Sequence, residues 1–208
     1  MNRPVITRPH DWIFAIALPE SEAEYRTQFG APERFDFIHR IPGGWRVYER
    51  SLLRQIRDSV AYYRSLGVIV ELNFTFAAFK ELAWQSGPNK AVTLVAHWTS
   101  AGVEFVDGIA PFDAIAKAVP ETYNGIIDLC VCHPAPLVVA LRQERPAIRA
   151  IRFIDAPASL LLWLRLYKAL FATLATEELD AYGALQGWSS AIVDRVTKGK
   201  GREWAVKS

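Results

Sequence analysis

Apolar and polar positions along the chain follow two periods that take turns. Residues 12–18 form a short aromatic and β-branched run that stops at Pro19-Glu20. This predicts a buried strand, then a turn or helix start. From 49 to 66 the period lengthens to that of a helix, with Leu52, Ile56, Val60 and Tyr63 on one face and Arg50, Arg54, Arg57 and Arg64 on the other. Gly67 stands where a left-handed C-cap is wanted. A second strand is predicted at 68–72 and a second helix at 74–84, closed by Ser86-Gly87-Pro88. Continuous apolar runs at 91–96 (AVTLVA) and 126–132 (IIDLCVC) predict a third and a fourth strand, each covered on both faces. Between them, Gly102–Phe105 and Asp107-Gly108 predict a small hairpin, and 112–119 a short helix. A helix at 136–145 and a fifth strand at 150–154 follow. Residues 159–174 read as a core helix with a narrow polar stripe of Arg165, Lys168 and Ala172, expected to bury Leu161, Leu162, Leu166 and Leu170. A last helix is predicted at 177–196 and a fraying tail at 198–208. Residues 30–45, with Gly30, Pro32, Pro42, Gly43 and Gly44, read as a surface excursion.

Strands and helices that alternate in this way predict an α/β fold with a mostly parallel sheet and helices on both faces. With 208 residues, no internal repeat and no dividing linker, a single domain over 1–208 is expected. Hydrophobic residues make up 51% and charged residues 22%, which excludes wholesale disorder and low-complexity scaffolds. The formal net charge of +2 is divided evenly along the chain, so there is no electrostatic case for nucleic acid. The arginine stripe of 49–66 reads as a solvated helix face. No targeting segment is expected: Arg3 and Arg8 precede an apolar run, but 12–18 is too short and lacks a small-residue cleavage site. The greasy stretch of 158–175 is interrupted by Arg165 and Lys168 and is shorter than a bilayer needs. Cys130 and Cys132, two apart on one strand, are too close to form an unstrained disulfide, which points to a reducing, cytoplasmic setting.

Sites in open α/β sheets form beyond the C-terminal ends of the strands. His97 ends the third predicted strand and Cys132 the fourth. On neighbouring strands their imidazole and thiol would converge, and a thiol becomes a nucleophile only when a base takes its proton. Cys130 shares the parity of Cys132, as does Asp128, and is read as a packing residue. Cys-x-Cys-His lacks the paired spacing of a zinc site, so neither metal nor cofactor is expected. Asp155, in IRFIDAP, ends the fifth strand, where it either reaches the same cleft or caps the next helix. His10 and His39 are expected at the surface. Phosphate-binding, dinucleotide-binding and serine-elbow motifs are absent.

The pieces VTLVAHW, GVEFVDGIAPF and IIDLCVCHP occur in the order strand-histidine, hairpin, helix, strand-cysteine. In that order, and over roughly the half of the chain from 92 to 188, the sequence resembles the caspase-like CHAT peptidases of the caspase–gingipain group. The resemblance implies a three-layer caspase-like sandwich and a bacterial cysteine endopeptidase acting on peptide bonds through a thioester. His97 would be the general base, Cys132 the nucleophile, and the backbone N–H groups of Trp98 and Cys132 the oxyanion donors. Cys130, His133 and Asp155 would line the cleft. The sequence departs from the family at Trp98, where a glycine is usual, and around the cysteine, where Cys130, Val131, His133 and Pro134 replace small residues. Trp98 lying over the cleft would hold the enzyme inactive until a regulatory protein partner moves it. The alternative is a catalytically degenerate caspase-like pseudoenzyme that serves as a protein-interaction module. A third reading, a receiver- or flavodoxin-like binding domain, has only Glu20 and Glu22 in its favour. The expected partners are a protein or peptide substrate and a regulatory protein, with no membrane.

Overall fold

The computed structural model describes residues 6–29, 44–82, 84, 91–153, 160–177, 179–180 and 187. In chain order the elements are β1 (Ile6–Thr7), β2 (Trp12–Ile16), α1 (Glu22–Phe29), α2 (Gly44–Val47), α3 (Arg54–Ser65), β3 (Ile69–Glu71), α4 (Phe76–Glu81) and β4 (Ala91–Val95). They continue with β5 (His97–Thr99), β6 (Gly102–Phe105), β7 (Gly108–Ala110), α5 (Phe112–Ala118), β8 (Ile126–Cys130), α6 (Ala135–Glu144), β9 (Ala150–Phe153), α7 (Leu160–Thr176) and β10 (Leu179–Asp180).

Five strands form one parallel sheet in the order β3-β2-β4-β8-β9. Side chains alternate across it. Trp12, Phe14, Ile16, Val95, Ile126 and Cys130 pack against α3 and α7, while Ile13, Ala15, Val92, Leu94, Ile127 and Leu129 pack against α4, α5, α6 and the β5–β7 strands. Helices therefore cover both faces, and β2, β4 and β8 are buried throughout. That two-sided burial is why their sequences run apolar without alternation. No helix among the described residues is long and apolar enough to cross a membrane.

Several expectations shift, each for a local reason. The helix expected at 49–66 starts at Gly44 and passes through a π-helical stretch, Tyr48–Leu53, before α3. The wider turn rotates the register, so Leu53 is buried and Leu52 only half so. Tyr48 anchors this stretch by donating its hydroxyl to the Pro19 carbonyl at 2.8 Å. Arg50, Arg54, Arg57 and Arg64 are exposed, as a solvated stripe requires, and Gly67 has φ +92°.

The helix expected at 74–84 covers only Phe76–Glu81. Thr75 caps it by accepting the Ala78 N–H, and the Asp107 carboxylate accepts those of Phe76 and Ala77 at 2.6 and 3.2 Å. Those contacts satisfy first-turn donors and fix the start at 76. The expected hairpin is a three-stranded antiparallel sheet, β5-β6-β7, because His97–Thr99 pairs back on β6. Gly102 is obligatory in it: a Cβ there would lie 2.1 Å from the Ala110 carbonyl oxygen.

In α7 the buried stripe is Trp163, Leu164, Leu166, Tyr167, Leu170, Phe171 and Leu174. Leu161 and Leu162 lie off its axis, half-buried rather than buried. The helix expected from 177 begins instead as β10, paired antiparallel with β1. That partner lies over 170 residues away and leaves no trace in the local period. Residues 30–43, His39, Ser86-Gly87-Pro88, Asp155 and 198–208 lie outside the described residues.

Candidate functional site

The site grows from the ends of two neighbouring strands. β4 and β8 pair in parallel, with Val95 opposite Cys130 as their last partners. His97 and Cys132 each follow two residues later, so both emerge at the same C-terminal edge of the sheet. Adjacent strands there are about 4.8 Å apart. His97 opens β5 instead of ending β4, and Cys132 lies just past β8 in the tight connection to α6.

Trp98 and His133, the residues that follow His97 and Cys132, meet directly. Their rings are 5.3 Å apart between centroids and inclined at 66°. This edge-to-face contact ties the β5–β7 sheet to the β8–α6 turn. His133 is exposed and adopts φ +48°, one of two non-glycine residues with positive φ among those described. The conformation is uncommon, and its place directly after Cys132 puts backbone strain at the strand end. The indole N–H of Trp98 is buried without a hydrogen-bond partner among the described residues. Cys132 is half-buried, and the N-terminus of α6 follows three residues after it, an arrangement that favours negative charge nearby. Burial lowers the pKa of His97 below its ordinary value, so the imidazole is neutral near pH 7 and able to accept a proton.

The opposite side of the same edge is closed. Across the sheet, Phe14, Thr93, Asp128 and Arg152 form one row. Asp128 and Arg152, both 0% exposed at their side chains, form an ion pair. Thr93 donates its hydroxyl to Asp128 at 3.3 Å. Arg152 also donates to the Tyr167 hydroxyl at 2.9 Å, and its guanidinium stacks 4.6 Å over the Trp163 ring. Cys130 lies in this cluster, 3.3 Å from the Tyr167 hydroxyl and 3.7 Å from Arg152. Burial pushes its thiol well above the usual range, and the neighbouring Asp128 adds to the effect. Burial also pushes the Asp128 carboxyl up to about 6, against the pull of Arg152. Cys130 is enclosed beneath α7, as the packing reading expects, and does not line the cleft that the resemblance implies for it.

Sequence reasoning passed over Arg152 and Tyr167. The signal lay in the strands themselves: Arg152 interrupts the apolar IRFI as Asp128 interrupts IIDL, and neighbouring parallel strands put such a pair in register. It also passed over Glu104, which is 0% exposed in β6 and lies directly opposite His97. His10 is exposed. Among the described residues no group of three or more His, Cys, Asp or Glu is placed to hold a metal. No protein-family model matches the chain, and no curated protein does.

Proposed function

We propose that the chain is a cysteine endopeptidase of caspase-like type, with His97 as general base and Cys132 as nucleophile. The observation that carries the reading is the register of β4 and β8, which brings both residues to one sheet edge, two positions past the Val95–Cys130 pair. In the reaction His97 takes the Cys132 proton, and the thiolate attacks the scissile carbonyl. The tetrahedral intermediate collapses to a thioester while the imidazolium returns its proton to the leaving amine. Water, deprotonated by His97, then releases the acid and restores the thiol.

The oxyanion donors in this reading are main-chain N–H groups. Thr99 and Gly102 close a two-residue turn, so the alternation of an antiparallel ladder leaves Trp98 at a wide pair. Its N–H then points away from β6, where it joins the N–H of Cys132 in facing the developing charge. The Trp98 ring, held on His133, covers the edge and keeps the resting enzyme inactive until a regulatory protein partner displaces it. The protein or peptide substrate enters along the same edge, in a cytoplasmic setting that needs neither metal nor cofactor.

One observation favours a second reading. Trp98 stands where the resembling peptidases carry glycine, and its ring contact with His133 fills the edge. A caspase-like pseudoenzyme that binds a protein partner there would have the same features. Peptide hydrolysis by wild type, Trp98→Gly and Cys132→Ala separates the two. The peptidase reading expects low basal turnover, higher turnover in Trp98→Gly and none in Cys132→Ala. A folded Trp98→Gly as silent as Cys132→Ala favours the pseudoenzyme.

A further inference from the structure

We propose that the buried Arg152–Asp128 pair is a register key: it fixes which residues of β9 face β8 and how α7 sits on them, and the fold does not need it for net stability. β9 is the last strand of the parallel sheet, and β8 is its only strand partner among the described residues. It has four residues, Ala150–Phe153. Ile151 and Phe153 turn to one face, opposite Ile127 and Leu129. Ala150 and Arg152 turn to the α7 face, opposite Ile126 and Asp128.

The apolar contacts alone permit more than one register. A slip of one residue is excluded, because it would send Ile151 to the α7 face and Arg152 to the other. A slip of two keeps every face. Towards the start of β8 it sets Phe153 against Ile127 instead of Leu129, an exchange of one aliphatic neighbour for another. Among these side chains Arg152 alone distinguishes the registers. In the observed one it meets Asp128, which also accepts the Thr93 hydroxyl at 3.3 Å. Two residues away in either direction it would face Ile126 or Cys130, a cation withdrawn from water with no carboxylate opposite it. Arg152 sets α7 at the same time, by donating to the Tyr167 hydroxyl at 2.9 Å and lying 4.6 Å over the Trp163 ring. Buried ion pairs contribute little net stability against well-packed apolar replacements, and their best-attested use is to exclude alternative registers. β8 and β9 end at one edge of the sheet, so a slip of two would move the end of β9 by about 6.6 Å relative to Cys132. The key acts whatever chemistry that edge supports.

The test is amide NMR together with urea unfolding at pH 7, on wild type and Asp128→Leu/Arg152→Leu. The double variant is expected to fold, with a urea midpoint within about 0.5 M of wild type or above it. Its amides at 150–153 are expected to split into more than one set of resonances and to exchange with solvent about tenfold faster or more, while those at 92–95 in β4 keep their wild-type rates. A single set of resonances with the wild-type contacts between β8 and β9 overturns the proposal. Should that variant fail to fold, Asp128→Val/Arg152→Ile, with β-branched residues suited to strands, carries the same measurement. Failure of both to fold, or a midpoint well below that range, overturns it too, because the pair is then a requirement for stability and not a key to the register.

Discussion

Cys130 and Cys132 lie two residues apart, and the fold gives them different surroundings. Cys130 is the last residue of β8 and sits under α7 between Arg152 and Tyr167, with every neighbour in place before any ligand arrives. Cys132 lies past the strand end, half-exposed, beside a histidine contact that joins two separate elements. One region is a closed polar cluster whose thiol is pushed up by burial, and the other is an open edge with a neutral imidazole. The comparison teaches that the end of the ladder, and not residue type, decides which cysteine is enclosed. A strand residue is committed to a face and its covering helix, whereas a residue one step beyond is free to meet whatever the next loop brings.

The closed region should break hardest. Arg152→Met removes the cation that holds the Asp128 carboxyl down, so Asp128 is left buried without its partner and driven to take up a proton; the loss should be about 3–5 kcal/mol in urea unfolding at pH 7. Adding an apolar residue at Asp128 should recover much of that loss, because removing both charges also removes the desolvation penalty. Leu166→Ala, in the buried stripe of α7 over the same face, should cost about 2–5 kcal/mol. A loss under about 0.5 kcal/mol would mean that Leu166 does not pack as described. Cys132→Ala at the open edge should change stability by no more than about 0.5 kcal/mol.

The contrast between these regions was partly legible in the sequence. Strands β2, β4 and β8 were readable because burial on both faces demands unbroken apolar runs, and their alternation with helices gives the parallel sheet. His97 and Cys132 were readable as strand-end residues because such runs stop abruptly at them. The Asp128–Arg152 pair was not, since it depends on β8 and β9 being neighbours in a given register. Glu104 opposite His97 depends likewise on β5 pairing with β6, which a reading of GVEF and VDG as a hairpin alone does not supply. The Trp98–His133 contact joins segments 35 residues apart and has no local periodicity at all.

A smaller effect sharpens the open region. The pKa of His97 is depressed in the folded protein below its ordinary 6.5. The unfolded chain therefore binds a proton first as pH falls, and the folded state loses stability below about 6.5, through the depressed folded value. Asp128, raised to about 6, contributes the opposite slope in the same window, so the fall is read as the difference between wild type and His97→Gln in urea unfolding between pH 7.5 and 5. An unaltered pH dependence in His97→Gln would contradict a buried, neutral imidazole.

The most direct test of the central claim is brief alkylation at pH 7 followed by mass spectrometry, on wild type and His97→Ala. The account predicts that Cys132 is modified at least tenfold faster than Cys130, and that His97→Ala slows Cys132 while leaving Cys130 as slow as before. Equal labelling of the two thiols, or a Cys132 rate indifferent to His97, would contradict it.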